Sequence, residues 1–129
     1  MTTQAQLRNR YARESVNTAS PAKLVTMLYD RLIRDLSDAE QGLGSRDIQA
    51  AHNALTHAQN ILWELHSTLD TSVWKEGEQL KRLYEWCVDE LVAANVEKVA
   101  SHVVDVRDVL MPISDAWHQV VASGETGER

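Results

Sequence analysis

The residues of this chain with the widest chemical reach are five histidines and a single cysteine. Helical bundles build di-metal sites from inward-facing Glu-x-x-His pairs. The residues three positions before His52, His57, His66, His102 and His118 are Gln49, Ala54, Trp63, Val99 and Asp115. None is glutamate, so no di-metal site is expected, and no other metal or cofactor site. His52 and His57 are five apart, which points them in different directions on a helix. Cys87 falls on an apolar stripe, where a thiol behaves as a small hydrophobe. A lone cysteine forms no internal disulfide. No glycine-rich phosphate loop or nucleophile elbow occurs. Catalysis has no visible carrier, and the expected class is a protein that binds another protein. A metal-dependent enzyme on a bundle scaffold is the alternative from a different class; an equimolar metal retained through chelation would revive it.

The elements that position these residues follow from apolar spacing. Ser20-Pro21 reads as a helix start, because a serine oxygen caps an orphan N–H and proline at the first helical position loses no bond. Val25, Leu28, Leu32, Leu36 and Ala39 continue that helix to about Gln41, where Gly42 and Gly44 are expected to stop it. A second helix begins near Ser45, with Ile48, Ala51, Leu55, Ala58, Leu62, Leu65 and Leu69 alternating steps of three and four. After a loop to about Gly77, Leu80, Leu83, Tyr84, Cys87, Leu91 and Ala94 form a third helix that ends at Asn95. Val96, Val99, Val103, Val106, Leu110, Ile113, Trp117 and Val120 form the fourth. The regular seam outweighs the strand preference of its valines, and Pro112 predicts a kink. The fold class is all-α: an antiparallel up-down four-helix bundle with a short N-terminal helical arm. Residues 1–17 are the arm, 18–122 the bundle and 123–129 a disordered tail.

At 129 residues the chain is long enough for one domain with a real core. Its net charge of −6 lacks the electrostatic footprint of a nucleic-acid binder. No run approaches the roughly 18 apolar residues of a membrane span, and the first residues have no signal-peptide core. A cytoplasmic, reduced protein is expected.

The positive anomaly is surplus apolar surface. Ile61 and Trp63, Trp86 and Val92, and Val104, Val109 and Met111 lie off the seams of the second, third and fourth helices. One reading is a wide core stripe. The other is a set of second faces forming grooves for an amphipathic partner helix. On the arm, Leu7, Tyr11 and Val16 are the large apolar side chains that follow Met1. The candidate partner contacts are Leu7, Tyr11, Val16, Ile61, Trp63, Leu65, Tyr84, Trp86, Val104 and Met111.

The segment Val16-Asn17-Thr18-Ala19-Ser20-Pro21, followed by Leu24 and Met27-Leu28-Tyr29-Asp30, closely resembles the opening of the flagellin export chaperones, the FliS family. Tyr11 stands where that family's arm tyrosine is expected. Ala58 to Leu65, Leu69-Asp70, Leu83-Tyr84, Leu91 with Ala94-Asn95, and Trp117 agree in order, so the likeness covers about residues 11 to 121. It departs at Arg31-Leu32-Ile33, where the family commonly has Gly-Ala-Ile, and at Val73-Trp74, where the loop is usually richer in glycine. The resemblance implies a cytosolic chaperone for the C-terminal segment of flagellin. It would prevent premature polymerisation and help deliver flagellin to the export gate of the flagellar secretion apparatus, without ATP. An adaptor bundle for another flagellar or secretion component is the alternative, and a homodimer is left open.

Overall fold

A computed structural model describes residues 21–124, and every element among them is a helix: α1 Pro21–Ser45, α2 Ile48–Ser67, α3 Gly77–Glu97 and α4 Ser101–Ala122. Each helix packs against its neighbours in sequence, and α4 closes back on α1. The pairs between helices fix an antiparallel order. Asp35 and Gly42 of α1 meet His57 and Ala51 of α2, so numbers rise on one helix as they fall on the other. His52 and His66 meet Asn95 and Glu85 of α3 in the same sense. Glu40 and Asp30 of α1 do so with Arg107 and His118 of α4. The up-down four-helix bundle expected from the spacing is the fold.

The core follows the seams. Leu32, Leu36 and Ala39 of α1, Ala51, Leu55, Ala58 and Leu62 of α2, Cys87, Leu91 and Ala94 of α3, and Val103, Val106 and Leu110 of α4 are fully buried. Each large side chain so buried contributes about 1.5–3 kcal/mol. Two hydroxyls sit among them. Tyr29 of α1 and Tyr84 of α3 lie on helices at opposite corners of the bundle, and their oxygens are 2.8 Å apart across its centre. Desolvation raises the pKa of both phenols, and burial pushes the Cys87 thiol up to about 12, leaving it chemically quiet.

The corners differ from expectation. α1 runs through both glycines to Ser45. Gly42 is a packing residue: a Cβ there would lie 3.0 Å from the backbone nitrogen of Ala51. The chain reverses at Arg46, which adopts the left-handed conformation with φ 65°. The amides of Arg46 and Asp47 bond back to the carbonyls of Leu43 and Gly42, which makes this a Schellman end. Asp47, not Ser45, caps α2, its carboxylate accepting from the Ala50 amide at 3.2 Å. α3 passes Asn95 and ends at Lys98, with φ 60°. α4 therefore begins at Ser101; Val96, 76% exposed, lies in the last turn of α3 and exposed Val99 in the corner, so neither is on the α4 seam. α4 continues through Pro112, which is exposed, as is Asp108, whose carbonyl loses the bond.

Candidate partner-binding surface

Off-seam residues of a helix reach the groove they share with whichever neighbour lies on that side. The contacts between helices assign each one. Trp63 lies edge-on to the ring of His66, with centroids 5.1 Å apart. His66 bonds Glu85 of α3 at 2.8 Å, so Trp63 borders the α2–α3 groove. Trp86 precedes Glu90 by one turn, and Glu90 reaches His102 of α4 at 2.9 Å. Trp86 therefore borders the α3–α4 groove. Val104 and Met111 flank Arg107, which pairs with Glu40 of α1, and so border the α4–α1 groove. Trp63 is 46% exposed and Trp86 and Met111 are each 39% exposed, while Val104 is half-buried. These four stand on three successive grooves, not on one.

Three expected contacts belong to the core. Ile61 is 7%, Leu65 1% and Tyr84 2% exposed. α2 is packed against both α1 and α3, which widens its buried stripe beyond the seam and takes in Ile61. Leu65 lies on the seam itself. Tyr84 turns inward to its bond with Tyr29. Leu7, Tyr11 and Val16 lie outside the described residues.

A further apolar surface forms at the end of the bundle where α1 begins and α4 finishes. Leu24 and Leu28 of α1, Leu69, Val73 and Trp74 of the α2–α3 connection, and Trp117 of α4 wall an open groove of about 560 Å³. Past Trp74 and Trp117 it continues onto Leu80, Leu83 and Ile113, which face each other across α3 and α4. The connection is held open by its own hydrogen bonds: Asp70 accepts from the Ser72 amide at 3.1 Å, and its carbonyl accepts from the amides of Val73 and Trp74. Gly77 starts α3 close against this loop, 3.4 Å (from a Cβ built there) to the Trp74 ring. The bulky pair Val73-Trp74 was the available signal for this surface in the sequence.

The α1–α2 groove has the opposite character. It is lined by Arg31, Asp35, Asp38, Asp47, Asn53 and His57 among others. Buried Asp35 is paired with Arg31 Nε at 3.2 Å and with His57 Nδ1, which offsets the cost of a carboxylate in the interior. The histidines share one role: each of the five bonds a residue of a neighbouring helix, four of them to a carboxylate. Among the described residues no group of His, Cys, Asp and Glu is arranged to hold a metal ion. No helix of the described residues is long and apolar enough to cross a membrane.

Fold and surface together define a helical bundle with large exposed apolar side chains on three of its grooves and an apolar surface at one end. The family model described as flagellar protein FliS matches residues 3–124. The flagellar secretion chaperone FliS of Bacillus subtilis (strain 168) is 30% identical over 113 residues, covering 88% of this chain and 84% of that protein. Its counterpart in Salmonella typhimurium (strain LT2) is 34% identical over 110 residues, covering 82% and 80%. A solved structure titled "Crystal structure of flagellar chaperone from bacteria" superposes with a TM-score of 0.74 at 21% identity, over 94% of this chain and 99% of that one, a likeness of fold. The chain belongs to the FliS family.

Proposed function

We propose that this protein is a cytoplasmic flagellar export chaperone that binds the C-terminal segment of flagellin, prevents its premature polymerisation and helps bring it to the export gate. Family membership supports the chaperone class. The observation that carries the choice of ligand is the placing of Trp63, Trp86 and Met111 on three successive grooves, with an apolar bundle end beside them. A rigid globular partner meets one side of a bundle. A segment that reaches all three grooves must be long, apolar at helical intervals and free to wrap, which is what a disordered amphipathic terminus offers. Ordering that segment costs part of the interaction energy. The unpaired apolar surface would otherwise meet a second copy, which is the route to a homodimer.

Co-purification with full-length flagellin, and its loss with flagellin lacking the last helix, is the expected result; equal recovery of both forms would sink the reading. Trp63→Glu, Trp86→Glu and Met111→Glu should each weaken binding of a C-terminal flagellin peptide about tenfold or more by calorimetry, with the thermal midpoint little changed. Because the three positions lie on separate grooves, their effects should add.

A further inference from the structure

The α3–α4 groove carries apolar side chains toward Trp117 and ends in a charged cluster. Trp117 and Ile113 of α4 face Leu80 and Leu83 of α3, and Val109 and Trp86 lie about one turn further along their own helices. At the far end His102, in the first turn of α4, lies between two carboxylates of α3. Its Nδ1 is 2.9 Å from Glu90 and its Nε2 3.1 Å from Glu97. A carboxylate is an acceptor only, and a neutral imidazole has a single N–H. Both contacts are hydrogen bonds only when both ring nitrogens carry protons. The charged groups facing the ring from α3 are Glu90 and Glu97. On its own helix Asp105 lies one turn along, and Lys98 in the corner donates to Asn95 at 2.6 Å.

We propose that His102 is a proton-operated latch across the end of the α3–α4 groove: closed as an imidazolium held by Glu90 and Glu97, and released when the ring loses one proton. The neutral ring keeps one carboxylate and frees the other. Release therefore leaves this end of the α3–α4 groove, one turn from Trp86, held by one bond where there were two. The direction of the pH effect follows from the bonds to Glu90 and then Glu97, which raise the pKa of His102 above its ordinary 6.5. A group whose folded value is raised adds stability that is fully present below the unfolded value and fades as pH rises through the folded one. The latch therefore closes as pH falls and opens as pH rises through that raised value.

The test compares the whole protein with its His102→Gln variant, since the other four histidines are common to both. Urea unfolding is measured at pH 6 and at pH 8. The ratio of the variant's unfolding constant to the native one should be roughly two- to fivefold larger at pH 6 than at pH 8. Equal ratios at the two pH values overturn the latch, whatever the absolute loss of stability in the variant. The second arm rests on the partner reading above and uses a C-terminal flagellin peptide. Native protein should bind it more tightly at pH 8 than at pH 6, and H102Q should lose most of that difference. If the native affinity difference persists in H102Q, the latch does not govern the groove. If no peptide binds at either pH, the flagellin reading fails, and the unfolding ratios still decide the latch.

Discussion

Two hydroxyls in the centre of a bundle core are tolerable only because they satisfy each other. Tyr29 and Tyr84 are 0% and 2% exposed, and their bond joins helices that are not neighbours in the ring of four. Tyr84→Phe leaves the Tyr29 hydroxyl buried without that partner and should cost about 1–3 kcal/mol in urea unfolding. Changing both to Phe removes both groups and should cost less than the sum of the single changes; a strictly additive result would mean that the bond contributes nothing. Tyr84 also marks a limit of sequence reading at this scale. Helical spacing assigns a face but not a depth, and a tyrosine at the margin of a stripe suits a groove as well as a core. Only the position of α1 across the bundle decides it. The wide-stripe reading places Ile61 correctly and Leu65 follows its seam, whereas Trp63 and Trp86 remain at the surface.

At the scale of the element, the two glycines near the end of α1 separate local propensity from packing. Both lie within the helix, where glycine costs up to about 1 kcal/mol relative to alanine. A Cβ on Gly44 would meet nothing within 4 Å, so Gly44→Ala should raise the thermal midpoint. A Cβ on Gly42 would lie 3.0 Å from the Ala51 nitrogen and 3.1 Å from its Cα, both backbone atoms that cannot rotate away. Gly42→Ala must push α1 and α2 apart and should lower stability by about 1–3 kcal/mol despite its gain in helix propensity. Equal effects at the two positions would show that the helices adjust freely there. The sequence reads both glycines as a stop because glycine commonly follows a helix. The actual reversal uses Arg46, an unusual residue for the left-handed region. The α3–α4 corner misleads for a related reason: Val96 in the last turn of α3 and Val99 in the corner keep the apolar period of α4 across the turn, and periodicity carries no record of a turn.

For the molecule as a whole, the four seams and three short connections leave one economical arrangement, which is why the architecture is legible from spacing alone. The partner surface is less so, because which groove an off-seam residue faces depends on how the helices are ordered around the bundle. The apolar end beside Trp74 and Trp117 depends on elements about 90 residues apart in sequence, from Leu24 to Trp117. That end is also where the chain enters α1, since Pro21 is part of its wall. The preceding segment carries Leu7, Tyr11 and Val16, which lie outside the described residues, and an isolated helix this short is marginal in water. Its apolar side chains need a surface, and the groove that Pro21 helps to wall is the apolar surface described at that end. The arm is accordingly expected to shield the apolar surface of the empty chaperone and to move when flagellin arrives. Such a lid lowers apparent affinity by the fraction of time the surface is open. Deleting residues 1–15 should therefore tighten binding of a C-terminal flagellin peptide, or at least raise its on-rate. In sedimentation it should also increase self-association of the free protein. A clear loss of affinity with the helical content intact would reverse the assignment: the arm would then be part of the binding site, with Tyr11 a contact.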